Sequence, residues 1–431
     1  MTMIRPETEM KESGASWMGK IPCEWSVSKL KWYLRRIDPR NPGDKQVLSL
    51  YREYGVIPKD SRDDNHNATS EDTSKYKYVR VGDFVVNKMK AWQGSVAVSE
   101  YDGIVSPAYY VYHFTDDSYH RRYFHYLLRS CYKEEFMRLS GGIRVGQWDL
   151  SSKDLDNVLI VIPKKEEQQA IADYLDKTCS KIDEIIAEAK ASIDEYKELK
   201  QSVIFEAVTK GLDKNVEMKD SGVEWMGVIP KHWSTPKLKY FTNISSGGTP
   251  DRNHYEYWNG NVNWIKTGEL QNNELYDSEE KISELGVANS SAKLFKENTI
   301  LIAMYGQGKT RGMTALLKVP CTTNQACAGI VMKSNSPYEI YYLWLTLQAS
   351  YRALREKAVG TGQPNLSIGL LKDFYIPLPT LQEQKEVINF LKKVMPKYDS
   401  LITEKESLIH DLEAYKKSLI YEVVTGKRRV V

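Results

Sequence analysis

Apolar residues recur at intervals of three and four in two stretches of the chain, the period of a helix with one buried side. The first stripe runs through Ile182, Ile185, Ala189, Tyr196, Leu199 and Val203, the second through Tyr398, Leu401, Leu408, Leu412, Tyr415 and Leu419. Ile186, Ile193, Ile402 and Ile409 widen them. Ser180 with Asp183 reads as a capping box opening the first helix, and Pro396 suits the first turn of the second. Gly211 and Gly426 supply stop signals. Each helix is then about 30 residues and ~45 Å long. A stripe this wide is not left bare on a lone helix. The simplest arrangement packs the two helices antiparallel, with a lobe at either end of the rod; the alternative packs each helix on its own lobe.

Elsewhere the period changes. Residues 78–86 and 298–304 are rich in β-branched and aromatic side chains and predict strands. Residues 119–139 and 338–357 have helical spacing and follow those strands. The expected fold class is α+β: two globular domains separated by two long antiparallel helices in a coiled-coil spacer, with a pseudo-twofold internal repeat.

That repeat is written in the sequence. Met10-Lys11-Glu12-Ser13-Gly14, Trp17-Met18-Gly19, Ile21-Pro22, Trp25-Ser26 and Lys29-Leu30-Lys31 return 208 residues later, beginning at Met218. Gly146-Gln147-Trp148-Asp149-Leu150-Ser151 returns after 216 residues as Gly362-Gln363-Pro364-Asn365-Leu366-Ser367. Pro163, Glu167-Gln168 and Glu206-Ala207-Val208-Thr209 recur at that same spacing. Between the matching ends, residues 35–140 and 243–355 share little. One frame surrounds two unlike lobes. The segments expected are a first lobe with its frame (1–163), a helical spacer (164–212), a second lobe (213–378) and a second helical spacer (379–431). Because the Met218 segment follows the first helix, its twin at Met10 should dock near the end of the second, which brings the two chain ends together.

At 41% hydrophobic, the chain can build real cores. No apolar run approaches the ~20 residues of a membrane span, and the start carries acids in place of a secretory signal. The expected location is cytoplasmic, with no membrane partner. Five scattered cysteines form no C-x-x-C pair and imply neither zinc nor a disulfide framework. The net charge of +3 conceals a division. Residues 20–150 hold 21 Lys+Arg against 17 Asp+Glu, residues 218–375 hold 17 against 14, and residues 151–210 hold 9 against 13. Mildly basic lobes and an acidic spacer suit lobes that touch phosphates, although the excess is small.

Several strings carry candidate chemistry. Ala303 to Thr310 resembles a loose phosphate-binding loop, but a working one needs a helix after its lysine, and the run after Arg311 predicts a strand. A Gly-rich hairpin presenting Tyr305, Gln307, Lys309 and Arg311 to phosphates and base edges is the competing reading. Lys88, Lys90, Trp92 and Gln93 form an analogous strand exit in the first lobe, where Trp92 is equally well a core residue. Ser246, Gly247, Gly248 and Thr249 make a tight loop whose backbone amides could meet a phosphate, or a plain turn. Gln147 and Gln363 occupy matching positions, with Arg144 just before the first. Their strings bind DNA or cap the strand entering the frame, and capping is the preferred role of Ser151 and Ser367. No catalytic constellation and no metal set is present. A methyltransferase's Asn/Asp-Pro-Pro-aromatic loop is missing, and residues 38–43 do not supply one.

Together these strings resemble the specificity subunit of type I restriction-modification systems. The resemblance rests on Trp17-Met18-Gly19-x-Ile21-Pro22 and its copy, the Gly-Gln-x-x-Leu-Ser strings, Pro379-x-x-x-Glu383-Gln384 with its counterpart, and Glu206-Ala207-Val208-Thr209. Ser246-Gly247-Gly248-Thr249-Pro250 and Asn324-Gln325-Ala326-Cys327 mark the second lobe, and Ser106-Pro107-Ala108 stands where the latter would fall in the first. The resemblance implies a bipartite, asymmetric site on double-stranded DNA, one half per lobe. It also implies two modification subunits that bind S-adenosylmethionine and methylate adenine, and restriction subunits that use ATP and magnesium. The chain itself would bind no cofactor and catalyse nothing. On the family picture, ~45 Å of helix covers about 13 base pairs, and lobe centres slightly closer than that would place the half-sites about one DNA turn apart. The first lobe has Asp38 to Gly43 in place of the Gly-Gly-Thr-Pro loop, so the lobes should read different sequences. A non-catalytic coiled-coil scaffold for protein interactions is the alternative.

Overall fold

The computed structural model describes residues 3–43, 45–52, 54–62, 69, 72–142, 148–306, 308–358 and 365–430. It divides into two compact units, residues 1–190 with 407–431, and residues 191–406. Each boundary falls within a long helix.

In unit 1 the strands Leu34–Ile37 (β1), Phe84–Asn87 (β2), Val96–Val98 (β3) and Tyr109–Phe114 (β4) form an antiparallel sheet in the order β3-β2-β4-β1. Helices Arg121–Cys131 (α1) and Lys133–Leu139 (α2) cover one face. There Phe84, Tyr112, Phe124, Leu127 and Phe136 are buried in one cluster. Val85, Ala97 and Val111, pointing the other way as alternate strand residues must, join Leu48 and Val56 in a second cluster. The single strand expected over 78–86 is broken by a turn at Gly82, whose φ of +89° is costly for any side chain. Short helix α3 (Ser152–Asp156) leads to the frame strand Leu159–Ile162, which pairs with Ser26–Lys29.

Helix α4 (Lys165–Lys210) starts in unit 1 and ends in unit 2. Unit 2 contains Thr242–Ser246 (β5), Asn273–Leu275 (β6), Ile300–Ala303 (β7), Thr314–Leu317 (β8) and Cys327–Met332 (β9) in the order β5-β9-β7-β8-β6. The first four strands of that order repeat the arrangement of unit 1; β6 is added parallel to β8. Three further strands, Trp258–Ile265, Glu280–Ile282 and Cys321–Thr323, form a second sheet. Helices α5 (Glu284–Ala288), α6 (Ile340–Ala349), α7 (Tyr351–Glu356), α8 (Ile368–Lys372) and α9 (Leu381–Val424) follow, and α9 ends in unit 1. The two lobes therefore share a sheet although their sequences do not.

The frames share a set of matching bonds, although Trp225 Nε1 donates to the carbonyl of Tyr375 while the equivalent Trp17 Nε1 is buried without a partner among the described residues. Trp25 Nε1 donates to Glu167 at 2.9 Å, and Trp233 Nε1 to Glu383 at 3.0 Å. Gln168 accepts from the amide of His120 and donates to the carbonyls of Ser118 and Pro163. Gln384 accepts from Glu339 and donates to Pro337 and Pro379. Tyr123 Oη donates to the carbonyl of Val424 at 2.9 Å, and Tyr342 Oη to that of Val208 at 2.7 Å. Each lobe thus grips the end of a long helix, the first lobe that of α9. Gly211 and Gly426 end α4 and α9 with φ of +73° and +72°. The strands Met3–Ile4 and Arg428–Arg429 pair in unit 1, bringing the chain ends together as expected.

The helices are longer than their stripes suggest, at 46 and 44 residues. Ser180 lies inside α4 and caps nothing at its start. Pro396 lies inside α9 at an exposed position, where its missing amide costs the helix one internal hydrogen bond. The residue capping the start of α9 is Thr380, which forms a reciprocal capping pair with Glu383. The two helices run antiparallel: Lys416 pairs with Asp183 at 2.6 Å in unit 1, and Lys200 with Asp399 at 2.5 Å in unit 2. The buried seam of α4 is Ile182, Ile186, Ala189 and Ile193. Ile185, Leu199, Leu401, Leu408 and Tyr415 are exposed, because the sequence stripe merged two faces.

Candidate nucleic-acid interface

Strand register gathers the candidate strings at one end of each sheet. In unit 1, Ile37 faces Val111 and Asn87 faces Tyr109. The exits of β1 and β2 and the entrance of β4 therefore share an edge. In unit 2, Ser246 faces Ala328 and Ala303 faces Cys327, so the exits of β5 and β7 meet the entrance of β9. The amide of Leu150 donates to the carbonyl of Lys88, and that of Leu366 to Met304, both at 3.0 Å. The end of each Gly-Gln-x-x-Leu-Ser string is thereby tied to the second of these exits. Arg144, Gln147, Gln307 and Gln363 lie outside the described residues. Ser151 and Ser367 do cap, but the element is a helix: each hydroxyl accepts an amide of α3 or α8 at 3.1 Å.

In the first lobe the exit of β2 closes on itself. A 3-10 turn at Ala91–Gln93 ends at Gly94, whose φ is +89°. Trp92 is half-buried; its Nε1 donates to the carbonyl of Met89 at 3.1 Å, and its ring meets Trp148 edge-on at 5.6 Å. Lys88 is paired with Asp149 at 3.0 Å, which offsets its charge. Lys90 is exposed and Gln93 half-exposed beside it. Below the loop of residues 38–39 lies a cleft lined by Tyr78, Arg80, Asp83 and His113.

In the second lobe the Gly-Gly turn packs inward. The amides of Gly247 and Gly248 donate to the carbonyls of Cys327 and Thr323, so neither is bare for a phosphate. A Cβ at either position would collide with neighbouring chain, at Thr323 for the first and Ser291 for the second. These glycines serve close packing. Half-buried Ser246 ends β5 beside them. Thr249 Oγ1 donates to Gln325 Oε1 at 2.5 Å, joining the two second-lobe strings. Trp264 Nε1 donates to the carbonyl of Gly248 at 3.0 Å. Arg252, unread in the sequence, lies 3.7 Å from the centre of the Trp258 ring and 5.1 Å from that of Trp264. Its guanidinium also pairs with Glu280 at 2.7 Å. The signal for it was a lone arginine ahead of an aromatic run.

The chain after Lys309 turns and enters β8; no helix begins there, which removes the phosphate-loop reading. Residues 304–306 and 308–313 lie in the loop of a β7–β8 hairpin. Tyr305 is 44% exposed, Lys309 is exposed and Arg311 half-buried. Among the described residues no cluster of side chains could hold a metal ion, and no helix is long and apolar enough to cross a membrane. Burial pushes the thiol of Cys131 up to about 11 and that of Cys321 up to about 12; only Cys23 is exposed.

Unlike loops offered from one sheet edge, twice, on one repeated frame, make this a two-lobed recognition protein. The chain belongs to the type I restriction-modification family: the type I restriction modification DNA specificity domain matches it at residues 37–195 and again at 230–410. Its role is that of a specificity subunit, not of an interaction scaffold. It is 33% identical over 201 residues to the MjaIX specificity subunit of Methanocaldococcus jannaschii, a match spanning 46% of this chain and 44% of that one. To the MjaVIII specificity subunit of the same organism it is 24% identical over 427 residues, spanning 95% and 94%. The chain thus spans less than half of the first relative and nearly all of the second. Its fold is similar to that of a solved chain of a type I R-M system, studied for complex assembly and conformational transition, with a TM-score of 0.70 at 15% identity, covering 94% of this chain and 98% of that one.

Proposed function

We propose that each lobe reads one half of a bipartite, asymmetric site on double-stranded DNA, using the loops at the shared sheet edge. The observation that carries this reading is the pairing of one sheet edge with two unlike loop sets on a repeated frame. In the first lobe the reading groups are Lys88, Lys90, Trp92, Gln93, Arg144 and Gln147. In the second they are Tyr305, Gln307, Lys309, Arg311 and Gln363, with residues 246–249 bracing the edge. Lysines and arginines suit phosphates and guanine edges, and glutamines suit adenine. The chain catalyses nothing; it positions two adenine-methylating modification subunits and the restriction subunits. S-adenosylmethionine, ATP and magnesium belong to those partners.

The test is to map methylated adenines in DNA from cells carrying the complete system. One motif with two half-sites and a fixed gap is expected. Methylation without a bipartite motif would overturn the proposal, as would turnover by the purified chain.

A further inference from the structure

The hairpin carrying Tyr305, Lys309 and Arg311 is gripped by a single short helix. Tyr351 Oη donates to the carbonyl of Lys309 at 2.7 Å. Arg355 sends Nη1 to the carbonyl of Arg311 at 2.9 Å and Nη2 to that of Gly308 at 2.8 Å. All three donors come from α7. The planar fork of a guanidinium fixes two acceptors at once, which an ammonium does not, and it lies 5.2 Å from the ring centre of Tyr351. Gly312, at φ +88°, turns the chain close to the same pair: a Cβ there would stand 3.3 Å from Tyr351 and 3.5 Å from Arg355. Three of the loop's carbonyls are therefore committed to protein donors, which limits how the loop can rearrange.

We propose that Arg355 and Tyr351 are positioning residues for sequence reading by the second lobe. The proposal rests on the DNA-reading function above and adds which residues preorganise it. Neither residue meets DNA. By holding the loop's carbonyls they keep Tyr305, Lys309 and Arg311 in one arrangement before DNA arrives, so binding does not have to order them. A base edge is recognised only within narrow geometry, whereas a phosphate tolerates a displaced lysine. Loosening the loop should therefore cost discrimination and spare general affinity.

The test uses the full chain assembled with its modification subunits and DNA duplexes bearing the mapped motif, or a single base change in either half. Exchange of the first lobe assigns the halves. Arg355→Met should lower discrimination in the second lobe's half about tenfold, with the first lobe's half kept within roughly twofold as an internal control for folding. Tyr351→Phe should act in the same direction and less. Arg355→Lys should resemble Arg355→Met, because charge without the fork does not hold two carbonyls. The salt dependence of binding should be unchanged in all three. Rescue by Arg355→Lys, or a salt slope reduced by about one in Arg355→Met, would make Arg355 a phosphate contact and overturn the inference. Undiminished discrimination by Arg355→Met would also overturn it, while the DNA-reading function stood. A wild-type chain that discriminated in neither half would defeat that function itself.

Discussion

The two lobes share a sheet and differ in how the loops at its edge are held. In the first, the exit of β2 is closed by its own 3-10 turn, by Gly94 and by the contact of Trp92 with Trp148. In the second, the exit of β7 is a longer hairpin loop secured by Tyr351 and Arg355. The frames around them agree down to the indole–carboxylate bond. A loop supported from within its own lobe can change without disturbing the sheet or the helices. The lobes can thereby diverge while the frame that fixes geometry stays constant.

Four experiments test that division. The largest effect should come from exchanging residues 35–140 for another lobe: one half of the methylated motif should be replaced outright and the other kept. A change in both halves would show that the lobes are not independent. Next come the paired helix-end glycines. An alanine at Gly426 would run into Pro22 and approach Trp25 to 2.9 Å, whereas at Gly211 the nearest atom is Trp233 at 3.2 Å. Gly426→Ala should cost about 2–4 kcal/mol and Gly211→Ala about 1 kcal/mol, measured by denaturant unfolding. Equal losses would contradict this asymmetry between the frames.

Gln168→Ala and Gln384→Ala should each cost about 1–3 kcal/mol, since both leave buried partners unpaired. Hydrogen exchange at the amides of His120 and Glu339 should rise equally; exchange in one copy alone would break the equivalence. The smallest effect concerns Glu383. Burial opposes its ionisation, but donors from Trp233, Thr380 and His232 outweigh it and hold the carboxyl below its ordinary value. A depressed pKa contributes stability that is present above the unfolded value of about 4.3 and lost as pH falls through the folded one. Acid titration followed by tryptophan fluorescence should show this loss, and Trp233→Phe should reduce it. An unchanged acid limb in that variant would remove the indole from the account.

The frame was legible because duplication exposes it: most of the matching strings make a matching bond, Trp17 and Trp225 being an exception. Helix ends were read correctly at Gly211 and Gly426 and misread at their starts. Ser180 and Pro396 imitate starts, while the true signal at Thr380 and Glu383 is a T-x-x-E string whose glutamate also belongs to the repeat. The shared sheet was hidden, since β4 and β9 pair with strands far away in sequence and their side chains differ. At residues 246–249 composition correctly marked a special turn. It could not show that both glycine amides face protein carbonyls, because that depends on Thr323 and Cys327, some seventy-five to eighty positions onward.

The pairing of Met3–Ile4 with Arg428–Arg429 has a consequence for synthesis on the ribosome. Leu419, Val423 and Val424 belong to the same buried cluster as Trp25 and Tyr123, so unit 1 lacks part of its interior until these residues emerge. Unit 2 is one continuous stretch and can close first. At 5–20 residues per second, the roughly 200 residues between the parts of unit 1 take about 10–40 s to make. For that interval the first-made part of unit 1 is without the residues of α9 that complete its buried cluster.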